Sequence, residues 1–199
     1  MSNTSATGGP LSPAPPLPLD DDGLDAVFQQ LIQHVTSLSG DLVRPRWQAS
    51  VPKQPEPGVN WCALGTPEVV QDAGPWLVYD PVRNQETYWD HETLTVLVTF
   101  YGPNAQSFAR LLRAGLNVPQ NTEELLQYGV RYIDCGPVRT MNELLNQQWV
   151  HREDIALHFR RKVVMTFAVE NILIADIHLQ DDTVVNDTII VPPGSPISP

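Results

Sequence analysis

The 199-residue chain lacks the sequence features of several protein classes. No run approaches the roughly 18 consecutive apolar residues that a membrane span needs. Residues 1–18 have neither the basic start nor the apolar centre of a signal peptide, so we expect neither membrane insertion nor export. The sequence also contains no G-x-G-x-x-G or Walker-type loop, no G-x-S-x-G and no H-E-x-x-H. No motif therefore indicates nucleotide binding or hydrolytic chemistry.

Positive charge and cysteine are both scarce. Twelve Lys and Arg against 23 Asp and Glu give a net charge of -11, which disfavours nonspecific binding to nucleic acid and anionic lipid. Only two of the twelve are lysines, and arginine favours fixed, bidentate contacts over a diffuse cationic surface. The two cysteines, Cys62 and Cys135, show no C-x-x-C spacing, so we expect no structural zinc site. Two interpretations stay open, buried thiols or one disulfide.

Proline and acidic residues concentrate at both ends of the chain. Residues 1–22 contain five prolines and end in three aspartates, which predicts a disordered or extended N-terminal arm. Residues 181–199 combine three aspartates with four prolines and predict a similar C-terminal arm. Residues 23–180 are predicted to form one α+β domain, an antiparallel β-sheet with helices mainly on one face.

Apolar periodicity places the helices of this domain. Residues 24–35 follow the i, i+3, i+4, i+7 rule, and aspartates precede them at the positive end of the helix dipole. Further helices are predicted at 104–114 and 121–129. A short one is predicted from Thr140, with Glu143 as its capping partner.

Alternation of apolar and polar residues predicts the strands. The clearest is 93–100, with Gln85 as its earliest start, and shorter ones are expected at 61–64 and 76–79. Residues 150–179 contain no Gly or Pro and predict two or three antiparallel strands, with turns at 160–162 and 170–171. The strand at 150–160 is predicted to be a sheet edge that can pair between subunits.

Two acidic clusters are candidate metal or acid–base sites. Asp90 and Glu92 flank His91 on one strand, and Asp176 and His178 would share one face of another. Each pair falls short of the three or four protein ligands of a zinc site, so a solvated strand face is the favoured interpretation.

Tryptophan and arginine favour a binding protein over an enzyme, because both are enriched where proteins meet proteins. Arg152 and Asp154 share a strand face, from which each can reach an opposite charge on a neighbour. Residue type and local context predict the following partner contacts: Arg44, Arg46, Trp47, Tyr101, Trp149, Arg152 and Asp154.

Five ordered segments give the chain a resemblance to a known family. They are residues 42–48, 60–65, 99–105, 116–121 and 146–155. Together they resemble the bacteriophage neck or tail terminator family, whose members complete the tail, and the resemblance extends over most of residues 24–180.

The resemblance implies a structural virion protein with no catalysis, cofactor or metal. Its subunits would form a homohexameric ring that caps the tail tube and joins it to the neck connector. The implied partners are further copies of the chain, the tail tube protein, the neck or connector protein and the tail sheath. DNA would pass only as cargo through an acidic lumen, and no membrane is involved. The implied location is the tail and neck of the virion, assembled in the host cytoplasm.

Three alternatives remain. The first is a head-completion or connector protein, which would contact the portal side. The second is a metal-dependent enzyme that uses Asp176 and His178. The third is a host adaptor whose Pro-rich tail binds a groove in a partner.

Overall fold

The structure is a computed structural model that describes residues 3–5, 7–50, 52–145 and 147–170. The helices and strands of the described residues, in chain order, are α1 (Asp21–Thr36), β1 (Val43–Pro45), β2 (Trp61–Gln71), β3 (Trp76–Asp80), β4 (Gln85–Tyr101), α2 (Ala105–Leu116), α3 (Pro119–Thr122), β5 (Val130–Cys135), β6 (Arg139–Thr140), β7 (Glu143–Leu145), β8 (Gln148–Val150) and β9 (Arg152–Ala168). Short 3-10 helices lie at Gly40–Leu42 and Glu123–Tyr128. The predicted α+β class is confirmed.

The chain divides into two compact units. The larger one comprises residues 18–74 and 90–163, and the smaller one comprises residues 1–17, 75–89 and 164 onwards.

The larger unit is built on a mostly antiparallel sheet with the strand order β1-β2-β4-β9-β5. β1 and β2 pair in parallel, whereas β2 with β4, and β5 and β6 with β9, pair antiparallel. β9 therefore lies between β4 and β5, and the expectation that its first half is a sheet edge is wrong. β1 and β5 end the order.

Strand alternation puts one face of this sheet under the helices. Every second residue of β4 from Leu94 to Phe100 is fully buried, and so is every second residue of β9 from Ile155 to Phe159. These side chains form one cluster with the apolar faces of α1 and α2. The strand residues are Leu94, Val96, Val98, Phe100, Ile155, Leu157 and Phe159. Phe28 of α1 packs on Phe159 with ring centroids 4.7 Å apart. The residues between them on each strand point to the opposite face of the sheet, which can carry polar side chains.

Local sequence explains how the helices begin and end. Asp21 and Asp22 lie in the first turn of α1, as the dipole argument predicts. The helix ends before Gly40, because Ser37 takes the left-handed conformation at φ 60° and its N–H bonds the Gln33 carbonyl. β4 ends at Tyr101, directly before Gly102, whose φ is 104°. A Cβ there would lie 2.5 Å from the Val59 carbonyl oxygen, so only glycine fits.

The smaller unit contains a hairpin of β3 and the first residues of β4. The register runs from Trp76 opposite Trp89 to Asp80 opposite Gln85. The Asp80 carboxylate closes the turn by accepting the backbone N–H groups of Val82 and Arg83 at 2.9 and 3.2 Å. In the same unit, Ala14 forms a bridge with Thr166.

Two local predictions were wrong, both for tertiary reasons. No helix starts at Thr140, because its hydroxyl bonds the Glu153 carboxylate at 2.9 Å and the Glu143 carboxylate bonds Arg152. These two candidate capping residues lie on β6 and β7 instead. Residues 160–162 form no turn, since β9 continues to Ala168. The predicted strands beyond residue 170, and with them Asp176 and His178, lie outside the described residues.

Both cysteine thiols are free. Cys62 is fully buried in the core, which confirms the buried-thiol interpretation for it, and burial raises the pKa of this thiol. Cys135 on β5 is only partly buried. In the described part of the chain, no helix has the length and apolarity needed to cross a bilayer.

Candidate interaction surface

The sheet face turned away from the helices carries a continuous polar and aromatic cluster. We call it the arginine–aromatic network. It comprises Arg44, Arg46, Trp61, Thr99, Tyr101, Arg152 and Asp154, and its members lie on β1, β2, β4 and β9 or directly after β1. Alternation places them there, because their neighbours Val43, Cys62, Phe100 and Ile155 point into the core.

A hydrogen-bonded chain crosses three strands of this face. The Arg46 guanidinium donates to the Thr99 hydroxyl, which donates to the Asp154 carboxylate at 2.8 Å. Thr99 is fully buried, so its two bonds satisfy a hydroxyl that water does not reach. The Arg46 Nε is also buried and has no hydrogen-bond partner among the described residues.

Arg152 is the most heavily contacted cation of the network. Its Nε and Nη2 donate to the two oxygens of Asp154 at 3.0 and 2.9 Å, a bidentate pair, and its Nη1 donates to Glu143. The hydrogen bonds with Asp154 raise the pKa of Arg152 further, so the group stays charged. Its Cζ also lies 5.9 Å from the centre of the Tyr101 ring, within cation–π range.

The aromatic half of the network is a stack. Trp61 and Tyr101 face each other across β2 and β4 with ring centroids 4.3 Å apart and an interplanar angle of 9°. Arg44 lies over the outer side of Trp61 at 6.0 Å, so the stack is bracketed by two arginines. Burial of Tyr101 raises the pKa of its phenol, an effect that the nearby Arg152 partly offsets.

A cavity of about 260 Å³ opens beside this stack. Its lining combines two cations, an indole, prolines and amides: Arg44, Pro45, Arg46, Gln48, Pro52, Gln54, Trp61 and Ala63. Trp47, which follows Arg46 in the chain, is 58% exposed. Gly65 leaves room for Trp47 to pack against β2, because a Cβ on Gly65 would come within 2.6 Å of the indole. Such a lining suits a carboxylate or carbonyl group flanked by an apolar side chain.

The structure brings together most of the residues predicted to contact partners. Arg44, Arg46, Tyr101, Arg152 and Asp154 belong to the network, and Trp47 borders it. Tyr101 is itself buried beneath Arg152 and Trp61. It can therefore position its neighbours but offers little surface of its own.

Trp149 stands apart from the other six, on the small β7–β8 sheet. It is 70% exposed, whereas the next residue, Val150, is buried against Ala63 and Tyr101. The hairpin is thus attached to the network by Val150 and presents Trp149 outward.

Sequence reasoning missed three residues of this region. Trp61 was one tryptophan among five, and only its register opposite Tyr101 singles it out. Thr99 was treated as the polar half of an alternating strand. The spacing from Thr140 predicts Glu143 as a helix cap, whereas its carboxylate bonds Arg152.

The β3–β4 hairpin of the smaller unit is a second candidate surface. Its apolar side chains are unusually exposed, with Trp76 at 71% and Leu77, Val78 and Trp89 each at 40% or more. Exposed apolar groups in one short segment are typical of a protein interaction site. No pattern in the sequence distinguished these residues from a half-buried strand.

The β4 carboxylates that were candidate metal ligands accept hydrogen bonds from other side chains. Asp90 accepts a hydrogen bond from Gln71 at 2.8 Å, and Glu92 accepts two from Arg161 at 3.0 and 2.7 Å. In the described ranges, no group of three or more His, Cys, Asp and Glu side chains lies close enough to hold a metal ion. Asp176 and His178 are outside those ranges.

Comparison with known proteins adds one match. Residues 22–183 match the family model described as "Phage neck terminator protein". No curated protein matches the chain. The matched range contains the whole arginine–aromatic network together with Trp47 and Trp149.

Proposed function

Because the chain belongs to the phage neck terminator family, we propose that it is a structural virion subunit whose copies close into a ring of six. The ring occupies the end of the tail tube, stops further addition of tube subunits and joins the tube to the neck connector. The family match over residues 22–183 carries this proposal.

The arginine–aromatic network supports the ring. A closed ring needs a head-to-tail contact between two different patches on each subunit. Arginine and tryptophan contribute most at such contacts, provided that they are held in place. Arg44, Arg46, Trp47 and Trp149 touch the neighbouring subunit, while Tyr101, Arg152 and Asp154 hold them in position.

The β3–β4 hairpin supports the second contact of the proposed cap, the one with the tail tube or sheath. Its exposed Trp76, Leu77 and Val78 lose apolar surface to water when they meet the end of the tail tube or, in a contractile tail, the sheath. A cap needs this surface to differ from the one that closes the ring, since otherwise copies of the chain would continue the tube.

The mechanism requires binding and shape, with no turnover. The net charge of -11 favours an acidic lumen, which repels the phosphate backbone of passing DNA and prevents it from adhering. The protein is accordingly a component of the neck and tail of the virion.

Two measurements test the proposal. Native mass measurement should find a species at six times the chain mass of 22.1 kDa. Tail-tube protein polymerised with and without the chain should then give shorter tubes in its presence, as seen by electron microscopy.

Matched variants link each surface to its role. Trp149→Ala should weaken the ring, and Trp76→Ser should leave the ring intact but restore tube length. Val118→Ser, an exposed apolar residue on neither surface, is the control. Unchanged tube length at every concentration of intact ring would contradict the capping role. Binding of that ring to connector protein alone would favour the head-completion alternative.

A further inference from the structure

Six of the twelve Lys and Arg residues line two cavities at one edge of the sheet in the larger unit. One of them, Arg161, is buried and paired with Asp20 and Glu92, and the other five form a basic surface. We call this surface the basic edge. It comprises Arg110, Arg113, Arg131, Arg160 and Lys162, arranged about β5. In a chain with a net charge of -11, such a concentration of one sign indicates an anionic partner.

Two cavities flank β5 and share Tyr132 and Ile133. One, of about 710 Å³, contains Arg131, Arg160 and Lys162. The other, of about 360 Å³, contains Arg110 and Arg113. The two cavities therefore adjoin each other along β5.

The positive charge of this surface is only partly neutralised. Arg160 pairs with Asp72 at 2.8 Å, and Asp134 pairs with His158 at 2.5 Å. Arg110, Arg113 and Arg131 form no ion pair with any described residue. Arg131 also lies directly opposite Arg160 in the β5–β9 register, and like charges in that position destabilise a sheet unless an anion lies between them.

β5 also offers backbone groups. It ends the strand order, and in the described part of the chain no strand pairs with its other side. Ile133 and Leu126 expose apolar surface beside it, at 49% and 48%. An edge with free backbone groups, apolar contacts and flanking cations fits an extended acidic segment better than it fits a compact anion.

We infer that the basic edge binds residues 180–191 of a second copy of this chain as an added β-strand. The inference rests on the proposed self-association and names one of its contacts. Residues 171–199 contain four aspartates and no Lys or Arg, and three of the aspartates are in 180–191. The same stretch is rich in Val, Thr and Ile, which favour strands and supply apolar partners for Ile133 and Leu126.

The length of residues 171–179 is comparable with the width of one subunit. Residues 171–179, fully extended, span on the order of 30 Å, about the width of a small domain. An acidic segment on a linker of this length can extend beyond its own subunit. DNA is the competing anion, but the total charge of -11 opposes its approach.

Disulfide trapping tests the inference on full-length protein. One chain carries Ile133→Cys, a second, size-tagged chain carries Val185→Cys, and both carry Cys135→Ser to remove the neighbouring thiol. Mixed under mild oxidation, they should form a tagged–untagged pair. Arg113→Glu with Arg131→Glu should reduce this product at least tenfold, and Arg139→Glu, an exposed arginine off this surface, should not.

Charge reversal in the acidic segment shows whether the edge variants still fold, because a misfolded edge could not regain trapping. Asp181→Lys, Asp182→Lys and Asp187→Lys in the tagged chain should abolish trapping by the wild-type edge and restore it with the Arg113→Glu, Arg131→Glu edge. Native mass is measured in parallel. A ring of normal mass that gives no mixed disulfide overturns the inference and leaves the proposed function standing.

Two other outcomes also overturn it. One is a disulfide that forms only within a single chain carrying both new cysteines. The other is a short DNA duplex that binds with a dependence on Arg131 and prevents trapping. A mixed disulfide in a species other than a six-membered ring supports the contact and counts against the proposed ring.

Discussion

Adjacent arginines on β9 should differ sharply in their contribution to stability, because the strand turns them to opposite faces. The Arg161 side chain is 7% exposed, and the Arg160 side chain is 55% exposed. Arg161 donates to the Leu19 carbonyl, to Asp20 at 2.9 Å and twice to Glu92. Arg160 makes one pair, with Asp72 at 2.8 Å. Replacement of each by Met preserves most of the apolar stem and removes the charge.

The magnitudes follow from burial. Arg161→Met strands the Glu92 carboxylate, itself only 18% exposed, so we expect a loss of about 3–5 kcal/mol in the free energy of unfolding. For a chain of this size that lowers the melting temperature by roughly 6–20 °C. Arg160→Met removes an exposed pair and should cost less than about 1 kcal/mol.

Urea unfolding followed by tryptophan fluorescence measures both variants against wild type. Scanning calorimetry gives the melting temperatures independently. Equal losses for the two variants would refute the reasoning, since it attributes the difference wholly to which face of the sheet each side chain occupies. Glu92→Gln with Arg161→Met should recover part of the loss, because it removes the stranded charge.

Three further predictions concern the network and its surroundings. Thr99→Val should cost about 1–3 kcal/mol, because Arg46 and Asp154 both lose a buried partner; urea unfolding measures this, and a neutral result would contradict the chain of hydrogen bonds. Gly102→Ala should destabilise by about 1–3 kcal/mol, since φ is 104° and Val59 blocks the Cβ; Gly58→Ala, with open space around it, is the control. In native protein a thiol reagent should label Cys135 and not Cys62. Because burial raises the pKa of Cys62 above its unfolded value, stability should be unaffected by this group at low pH and should fall as pH rises past about 8.5; Cys62→Ala should remove that fall.

Local sequence was sufficient for elements whose residues carry their own signal. Helix α1 shows a complete apolar stripe with aspartates at its start, and in β4 Leu94, Val96, Val98 and Phe100 recur at every second position. Both patterns arise from helix and strand geometry alone, so both elements were predicted in place and type. The α+β class followed from their order along the chain.

Elements with tertiary partners were harder to predict. Thr140 and Glu143 have the spacing of a helix cap, but β9 supplies Glu153 and Arg152 as stronger partners. Residues 160–162 suggested a turn, because three consecutive cations rarely occupy a strand interior. Asp20 and Glu92 neutralise Arg161, and they are 141 and 69 residues away in sequence. No local pattern can report such contacts.

The contact residues show the same division. Sequence alone determined the kinds of side chain available for binding, arginine and tryptophan in an acidic chain, and the faces on which Arg152 and Asp154 lie. Tertiary structure alone decided that Arg46, Thr99 and Asp154 meet, because the order β1-β2-β4-β9 sets which strands are neighbours. It also decided that β5 and not β9 is the edge, and hence where an added strand can bind. Strand order depends on the packing of the whole core, which no segment encodes by itself.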